Sequence, residues 1–343
     1  MARESQEESI SSTSNPGRPP GPASSPLSGK TLTPEIACRD YNLLSLWGGV
    51  FYHPVFVSSG ARVLKLRGEP RYISRDGMPG VSNVLYHNRP GITVATLPLM
   101  FQYFGPLTFA PAEEPSSGCR ILFALPDQID YAYFSLPPSI DTSRIPRNWR
   151  IHPQRTLVVD RQGLGLWGNF FRDDVKNKIR KGRREKVIIS QTSRLPKELW
   201  DIAYARKSLR APIDPSALEQ WCDELVAASL LTIHVASIDG KPVAFRGQLV
   251  FGEYAYDWIA GSDPQYHSTG ANQLLMAEIG DEISKMNLYA WDLVGGQVES
   301  IADFKKSFGA AEVVHYHVSA ALTPKGRLYS ALRKLRYGFW RRS

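Results

Sequence analysis

Leu288-Tyr-Ala-Trp-Asp-Leu-Val294, then Gly295-Gly296, then Ile301-Ala-Asp-Phe-Lys-Lys-Ser-Phe-Gly309 is the stretch on which the reading of this chain turns. The first piece alternates poorly and reads as a buried strand. The glycine pair lets the backbone turn sharply and lets another molecule come close to it. In the last piece Phe304 and Phe308 stand four apart on one helical face, and Lys305 points away from that face. A lysine just past a glycine-rich turn suits a phosphate or a developing oxyanion. A solvated lysine on an amphipathic helix is the alternative.

Upstream of this stretch, Leu231–Ile238 alternates with period two and meets Asp239-Gly240, a hairpin signal. Pro242–Phe251 and Tyr254–Ala260 follow, giving a three-strand antiparallel meander. The polar loop Gly261–Ala271 leads into a helix from about Asn272 to Met286, with Leu275, Ile279, Ile283 and Met286 inward. Val313–Leu322 is expected to close the sheet. The order from Leu231 is β-β-β-α-β-α-β. The third-to-fourth crossover needs a helix, so those two strands are expected to be parallel. If they diverge they leave a cleft, and the helix at Asn272 aims its N-terminus into it.

Before Leu231 the pattern predicts a helix carrying Phe171, Val175 and Ile179 on one face. Lys176 and Arg180 lie on a neighbouring face, with Lys178, Lys181, Arg183 and Arg184 around the rest. This basic helix is either a solvated exterior or a clamp for substrate phosphates or carboxylates. Lys186–Ile189 reads as a strand and 197–209 as a helix. Another helix begins at Asp214-Pro215, a cap followed by proline in the first turn, with Leu218, Trp221, Leu225 and Val226 as its apolar stripe. Earlier still, Leu43–Phe51 reads as a helix ending at His53-Pro54. Ala61–Leu66, Val81–Tyr86, Ile92–Leu99, Asp130–Leu136 and Arg155–Asp160 read as strands. A helix is expected over Ser116–Leu125, and Gln102–Leu107 as a loop near a cleft.

At 343 residues, with 43% hydrophobic and 22% charged residues, the chain has room for two ordinary domains. Residues 1–35, rich in Ser, Pro and Gly, predict a disordered tail. Residues 36–150 form a first α/β unit, 151–323 a second, and 324–343 a basic amphipathic tail. The net charge of +8 is concentrated: Arg172–Lys186 carries +5 and Lys325–Ser343 carries +7, leaving −4 for the rest. That argues for local anion sites and against a uniformly basic nucleic-acid binder, and no DNA partner is expected. Leu328, Leu332, Leu335 and Phe339 recur at helical spacing in the basic tail, which either lies on an anionic membrane surface or packs back on the domain. No secretory signal or membrane-length apolar run is visible, and Cys38, Cys119 and Cys222 fit neither a disulfide framework nor a metal spacing. A cytoplasmic protein without a metal is expected. His315 and His317 share a strand face but lack a third ligand.

The strand order, with Gly240-Lys-Pro-Val-Ala244, Ile259-Ala-Gly-Ser-Asp263, Asp292-Leu-Val-Gly-Gly296 and Phe304-Lys-Lys-Ser-Phe-Gly309, resembles the GNAT acyltransferase superfamily. It is most similar to the branch with two tandem GNAT-like halves, which includes the Fem-type peptidyltransferases and the CelD/BioF2-like acetyltransferases. The likeness spans about residues 40–322 and includes Leu97-Pro-Leu99, Tyr103–Leu107 and the basic helix Phe170–Lys181. It implies an α/β (α+β) fold of two tandem GNAT-like domains, each a mixed, mostly antiparallel sheet flanked by helices. It also implies acyl transfer to an amine, with acyl-CoA as the usual donor and its pyrophosphate on the helix N-terminus at Gly270, Ala271 and Asn272. The motif there is Gln/Arg-x-x-Gly-x-Gly/Ala, whereas this chain has Gln265-Tyr-His-Ser-Thr-Gly-Ala-Asn272, differently spaced and short of one glycine. Fem-type relatives take aminoacyl-tRNA instead, and there the lysine matching Lys305 lies in the active site. The coiled-coil insertion common among them has no counterpart over 197–229.

The resemblance therefore implies an N-acyltransferase acting on an amine of a cell-envelope sugar, lipid or peptide precursor. The partner would be a small-molecule or lipid-linked amine, met at the inner membrane face with peripheral contact through the tail. The alternatives are aminoacyl-tRNA-dependent peptidyl transfer, with tRNA as partner, and a non-catalytic GNAT-fold binding module. Lys305, with backbone N–H groups near the glycine turn, is assigned to oxyanion stabilisation. Asp257 and Asp292 sit in apolar strands, where a raised pKa would suit proton transfer; capping a turn or pairing with Arg246 is the other reading for each. Lys176, Arg180, Lys181, Arg246, Gly295 and Gly296 are assigned to substrate binding.

Overall fold

In the computed structural model the described residues are 46–68, 70–75, 78–108, 125, 128–205 and 211–340. The expected N-terminal tail, Cys38, Cys119 and, apart from Leu125, the helix expected from Ser116 lie outside them. So do the last residues of the helix expected over 197–209.

The first part of the chain forms α1 (Pro54–Val63), β1 (Pro70–Arg75), β2 (Met78–Asn83), β3 (Tyr86–Arg89), β4 (Ile92–Ala95), β5 (Pro106–Thr108) and β6 (Tyr131–Leu136). Then come β7 (Arg150–Asp160), α2 (Arg161–Gly165), α3 (Asp173–Arg184), β8 (Ile188–Thr192), α4 (Lys197–Ala205) and α5 (Pro215–Ala227). The chain continues through β9 (Leu231–Ile238), β10 (Lys241–Phe251), β11 (Tyr254–Ser262), α6 (Ala271–Ser284) and β12 (Ala290–Asp292). It finishes with α7 (Glu299–Lys306), β13 (Ala311–Ala321) and α8 (Pro324–Trp340).

The antiparallel meander β9-β10-β11 and the parallel pairing of β11 with β12 are as the sequence predicts. Asp214 caps α5, its Oδ1 accepting from the N–H groups of Ser216 and Ala217. Phe171, Val175 and Ile179 are buried on one side of α3. Near the start the sequence reading fails. Of the helix expected over Leu43–Phe51 the described residues keep a 3-10 turn, Gly49–Tyr52, which does end at His53, but Pro54 at once opens a further helix, with the His53 imidazole accepting from the Val55 N–H. Proline in the first turn has no N–H to lose and its fixed φ already suits the helix. Ala61–Val63, read as part of a strand, closes that helix, because Phe56, Val57, Gly60 and Ala61 make its buried face.

The strands form one three-stranded sheet, β1-β2-β5, and one ten-stranded sheet in the order β3-β4-β6-β13-β7-β12-β11-β10-β9-β8. β13, expected to close the sheet, sits in its middle between β6 and β7. Outward from the β13–β7 pair, both directions repeat the same pattern. β13–β6 is antiparallel, β6–β4 parallel and β4–β3 antiparallel; β7–β12 is antiparallel, β12–β11 parallel and β11–β10 antiparallel. Two similar halves have thus exchanged their last strands. β7, which follows the first half in sequence, pairs with β12 of the second, and β13 returns to pair with β6 of the first. The expected boundary near residue 150 falls where β7 begins, and the sheet runs unbroken across it.

The two parallel pairs end differently. β4 and β6 pair only at Val94↔Tyr131 and Ala95↔Ala132. Beyond that, Phe104 exchanges both backbone hydrogen bonds with Ser135, at 2.6 and 3.0 Å, and fills the free edge of β6. The loop Gln102–Leu107 therefore plugs the first half. Among the described strands none covers the corresponding edge in the second half.

Asp292, at the end of β12, ties the halves together. Its carboxylate is fully buried and accepts from Tyr103 Oη at 2.6 Å, Thr156 Oγ1 at 2.5 Å, the Trp47 indole at 3.2 Å and the Val294 N–H at 2.9 Å. Tyr103 and Trp47 come from the first half. Removing the carboxylate strands several buried donors at once, each costing about 1–3 kcal/mol. Asp292→Ala is expected to destabilise the protein by about 3 kcal/mol or more, and Tyr103→Phe by about 1 kcal/mol, read by denaturant unfolding.

Candidate active site

β11 and β12 pair from Tyr254↔Ala290 to Tyr256↔Asp292 and then separate. The chain after β12 leans away, the Leu293 N–H bonding to the Leu157 carbonyl on β7 at 2.7 Å. β11 runs on to Ser262, held only by β10 on its other edge among the described strands. The pairing stops between Asp257 and Leu293, where the strand order puts the expected cleft.

Lys305 fills the throat of this cleft. α7 delivers its side chain inward, and Lys305 is only 5% exposed, which removes the solvated alternative. Its ammonium donates to the carbonyls of Leu293 and Val294 and lies 3.5 Å from Asp257 Oδ2. It thus bridges the two separating strands. Burial pulls the Lys305 pKa below the ordinary lysine value, against the opposing pull of Asp257.

Asp257 departs from the raised pKa expected for it. Burial pushes its carboxyl up, but Arg246, Lys305 and Gln248 outweigh burial and hold it below the usual range. Arg246 Nη1 donates to Oδ2 at 2.5 Å and Gln248 Nε2 to Oδ1 at 2.8 Å. The pairing with Arg246 is what the strand pattern allowed as the other reading. A carboxylate locked between cations is an electrostatic anchor and not a base poised near neutrality. Arg246 also donates to Asn272 Oδ1 at 3.3 Å, tying the start of α6 to the cleft, and lies 5.2 Å from the centre of the Phe304 ring. Behind Gln248 the Trp291 indole donates to its Oε1 at 2.9 Å.

Asp292 lies behind the turn, engaged with the first half; burial does raise its pKa, as expected, against the lowering effect of its donors. The turn itself is strained. Val294 has φ +50° and Gly295 φ +58°. A β-branched residue in the left-handed region costs energy and persists only where its surroundings enforce it. Here Asp292 holds the Val294 N–H and Lys305 its carbonyl. Gly295 faces Lys305: a Cβ there would stand 3.3 Å from Nζ. Gly296 does not serve an incoming molecule as expected. A Cβ on it would stand 2.6 Å from the Arg155 carbonyl, so its bareness lets the turn pack on β7.

The loop expected to cradle a pyrophosphate is largely used by the chain itself. A 3-10 turn over Pro264–Thr269 leads into α6. The Gln265 N–H is taken by Asp263 and the Ala271 N–H by Thr269 Oγ1. Gly270, at φ +82°, lies against α3, where a Cβ would meet the Lys178 carbonyl at 2.1 Å. Gly270 and Ala271 are buried there. These residues do not fit the pyrophosphate of CoA in the manner the resemblance implies.

The same packing sets α3 beside the cleft. It rests on the N-terminus of α6, and the Arg172 N–H at its own N-terminus bonds to the Ser307 carbonyl just after α7. Arg180 is exposed and Lys176 and Lys181 are half-buried. No hydrogen bond or ion pair links these three to the Asp257 cluster among the described residues. Lys176 faces Asp173 at 3.7 Å on its own helix.

The structure thus brings Lys305, Asp257, Arg246, Asn272 and Gly295 together. It sets Asp292 behind them, Gly296 on β7 and the basic helix at the rim. Sequence reasoning missed Gln248, Tyr103, Thr156 and Trp47. A glutamine inside the apolar run of β10 was the available signal for the first; the others act through contacts no local pattern carries. His315 and His317, with ring centroids 5.4 Å apart, are both neutral, burial pushing them down to about 3 and about 4. No group of three or more potential ligands that could hold a metal occurs among the described residues.

A parallel strand pair that parts at mid-sheet, with a helix starting at the parting, is the arrangement of the GNAT fold, and the comparisons support a transferase built on it. Residues 169–306 match the family model described as an acetyltransferase (GNAT) domain. The fold of FemX is similar over 89% of this chain and 99% of that one, with a TM-score of 0.62 at 10% identity. A conserved protein of unknown function from Bacteroides thetaiotaomicron gives 0.54 at 10% identity over 86% of this chain and 99% of its own. The C-terminal domain of a protein described as a lysylphosphatidylglycerol synthetase, from Agrobacterium fabrum, gives 0.53 at 12% identity, covering 88% and 97%. A comparison with curated proteins gives no match.

The Asp257 carboxylate has a depressed folded pKa. Its stabilising contribution is complete above the unfolded value of about 4 and is lost as pH falls through the folded value. Asp257→Asn is expected to be clearly less stable than the wild type at neutral pH, with the difference shrinking in acid. Denaturant unfolding across that pH range checks the sign; a difference that grows in acid overturns it.

Proposed function

We propose that the protein transfers an acyl or aminoacyl group to an amine, with the carbonyl carbon of the donor held in the β11–β12 cleft. One observation carries this reading: the Lys305 ammonium lies in the gap between two separating strands, beside Arg246, with one carboxylate shared between the two cations. Attack by the amine forms a C–N bond and puts negative charge on the carbonyl oxygen. A buried, prepositioned ammonium stabilises such charge more than water would, because nothing need reorganise as it develops. When the intermediate collapses, the bond to the leaving sulfur or oxygen breaks, and the proton of the amine passes to that leaving atom. Asp257 keeps Arg246 and Lys305 in place, and Asp292 holds the strained turn whose carbonyls position Lys305.

Acyl-CoA is the donor in the first form of this reading, with the phosphates met by Lys176, Arg180 and Lys181 on the rim. Aminoacyl-tRNA is the second form, favoured by the packed loop at Gly270 and served by the same basic helix. The acceptor, an amine of a cell-envelope sugar, lipid or peptide precursor at the inner membrane face, rests on the resemblance to the tandem-half branch. A fold that binds without turnover is the remaining alternative.

Calorimetry with acetyl-CoA, longer acyl-CoAs and aminoacyl-tRNA separates these forms: heat with one donor class selects it, and heat with none overturns the reading. With that donor, Lys305→Ala is expected to lower transfer about a hundred- to a thousandfold in a folded protein. Retained activity would remove Lys305 from the mechanism. Replacing Lys176, Arg180 and Lys181 together by glutamate is expected to weaken donor binding at least about tenfold and flatten its salt dependence, with little change in unfolding.

A further inference from the structure

Among the described residues α8 leaves an apolar stripe without a partner. Leu328, Leu332 and Leu335 are 63%, 56% and 69% exposed and recur at i, i+4 and i+7, so they form one face. The opposite side of the helix holds it to the first half. Gly326 sits so close to the Asp130 carbonyl that a Cβ would overlap it, Tyr329 packs on Tyr131 at 5.2 Å, and the Arg333 guanidinium lies over the Tyr131 and Tyr133 rings. The stripe is therefore not an unformed core face, because α8 already has its seat on β6 and β13. Beside it stand exposed Lys325 and Arg327, and from Lys325 to Ser343 the sequence has seven Lys/Arg and no acid.

We infer that α8 docks flat on an anionic lipid surface, its leucines entering the acyl boundary and its basic flanks meeting the headgroups. A helix with an apolar stripe between basic borders is held at such a surface by both forces at once. The charge decides against a second copy of the chain, since two such faces would repel. The leucines decide against nucleic acid, which offers no apolar surface for them. No helix among the described residues is long and apolar enough to cross a membrane, so the contact is peripheral. A bilayer-bound α8 would bring the cleft to a lipid-linked acceptor; that consequence rests on the transfer reading, whereas the binding does not.

The test is co-sedimentation of the full chain with phosphatidylcholine vesicles, with and without about one part in three phosphatidylglycerol. Binding is expected to the anionic vesicles only and to weaken with added salt. L328E/L332E/L335E is expected to lower the partition at least about tenfold, while the corresponding methionine variant keeps it. Should the glutamate variant fail to fold, K325E/R327E serves in its place, with the same direction of change. Lys305→Ala is expected to bind vesicles like the wild type, so loss of transfer and loss of lipid binding are read separately. No sedimentation, equal binding to neutral vesicles, unchanged binding by both charge-altering variants, or a lipid-free dimer dissolved by the leucine changes would each overturn the proposal.

Discussion

The parting of β11 from β12 is the constraint on which the rest depends. Two parallel strands normally satisfy each other's backbone groups, and leaving an edge unpaired inside a domain is costly. Here the cost is met locally. The carbonyls of Leu293 and Val294 receive the Lys305 ammonium, and the Leu293 N–H finds β7. The lysine is thus part of the fold as well as a candidate for the chemistry. A buried ammonium needs a counter-charge, which Asp257 supplies; Asp257 in turn is shared with Arg246.

The two aspartates of adjoining strands have opposite surroundings. Asp257 faces the side of the sheet covered by α6 and α7 and meets cations. Asp292 meets only neutral donors, from Tyr103, Thr156, Trp47 and a backbone N–H. Desolvation acts on both, and the difference in partners sends their acidities in opposite directions. Through Val294 the two networks meet: one grips its N–H, the other its carbonyl. The first half reaches the cleft this way, since Tyr103 and Trp47 support the turn that seats Lys305.

The exchange of β7 and β13 explains why the halves form one sheet. Each half lends its last strand to the other, so neither has a complete sheet alone. Within that repeated pattern the halves differ at one edge. In the first half Phe104 closes the edge of β6; in the second no described strand closes the matching edge. A likeness of strand order thus coexists with a difference in what the strands leave exposed.

Much of this was legible along the chain, because periodicity and turn chemistry are local. The meander from Leu231, the cap at Asp214, the buried face of α3 and the parallel crossover into β12 all follow from spacing and residue type. Pro54 misled, since proline marks both the end of one helix and the start of another. Partners do not show in a linear pattern. That Asp257 would be held ionised by Arg246, that Gly270 would be covered by α3, and that Gly296 would serve β7 are facts of packing between residues far apart in sequence. The sequence by itself determined the elements from Leu231 onward, their order and the family they resemble, because those depend on neighbours a few residues away. Only the tertiary structure decided which edge stays open and which charges meet there, because burial and Coulomb energy depend on distance in space.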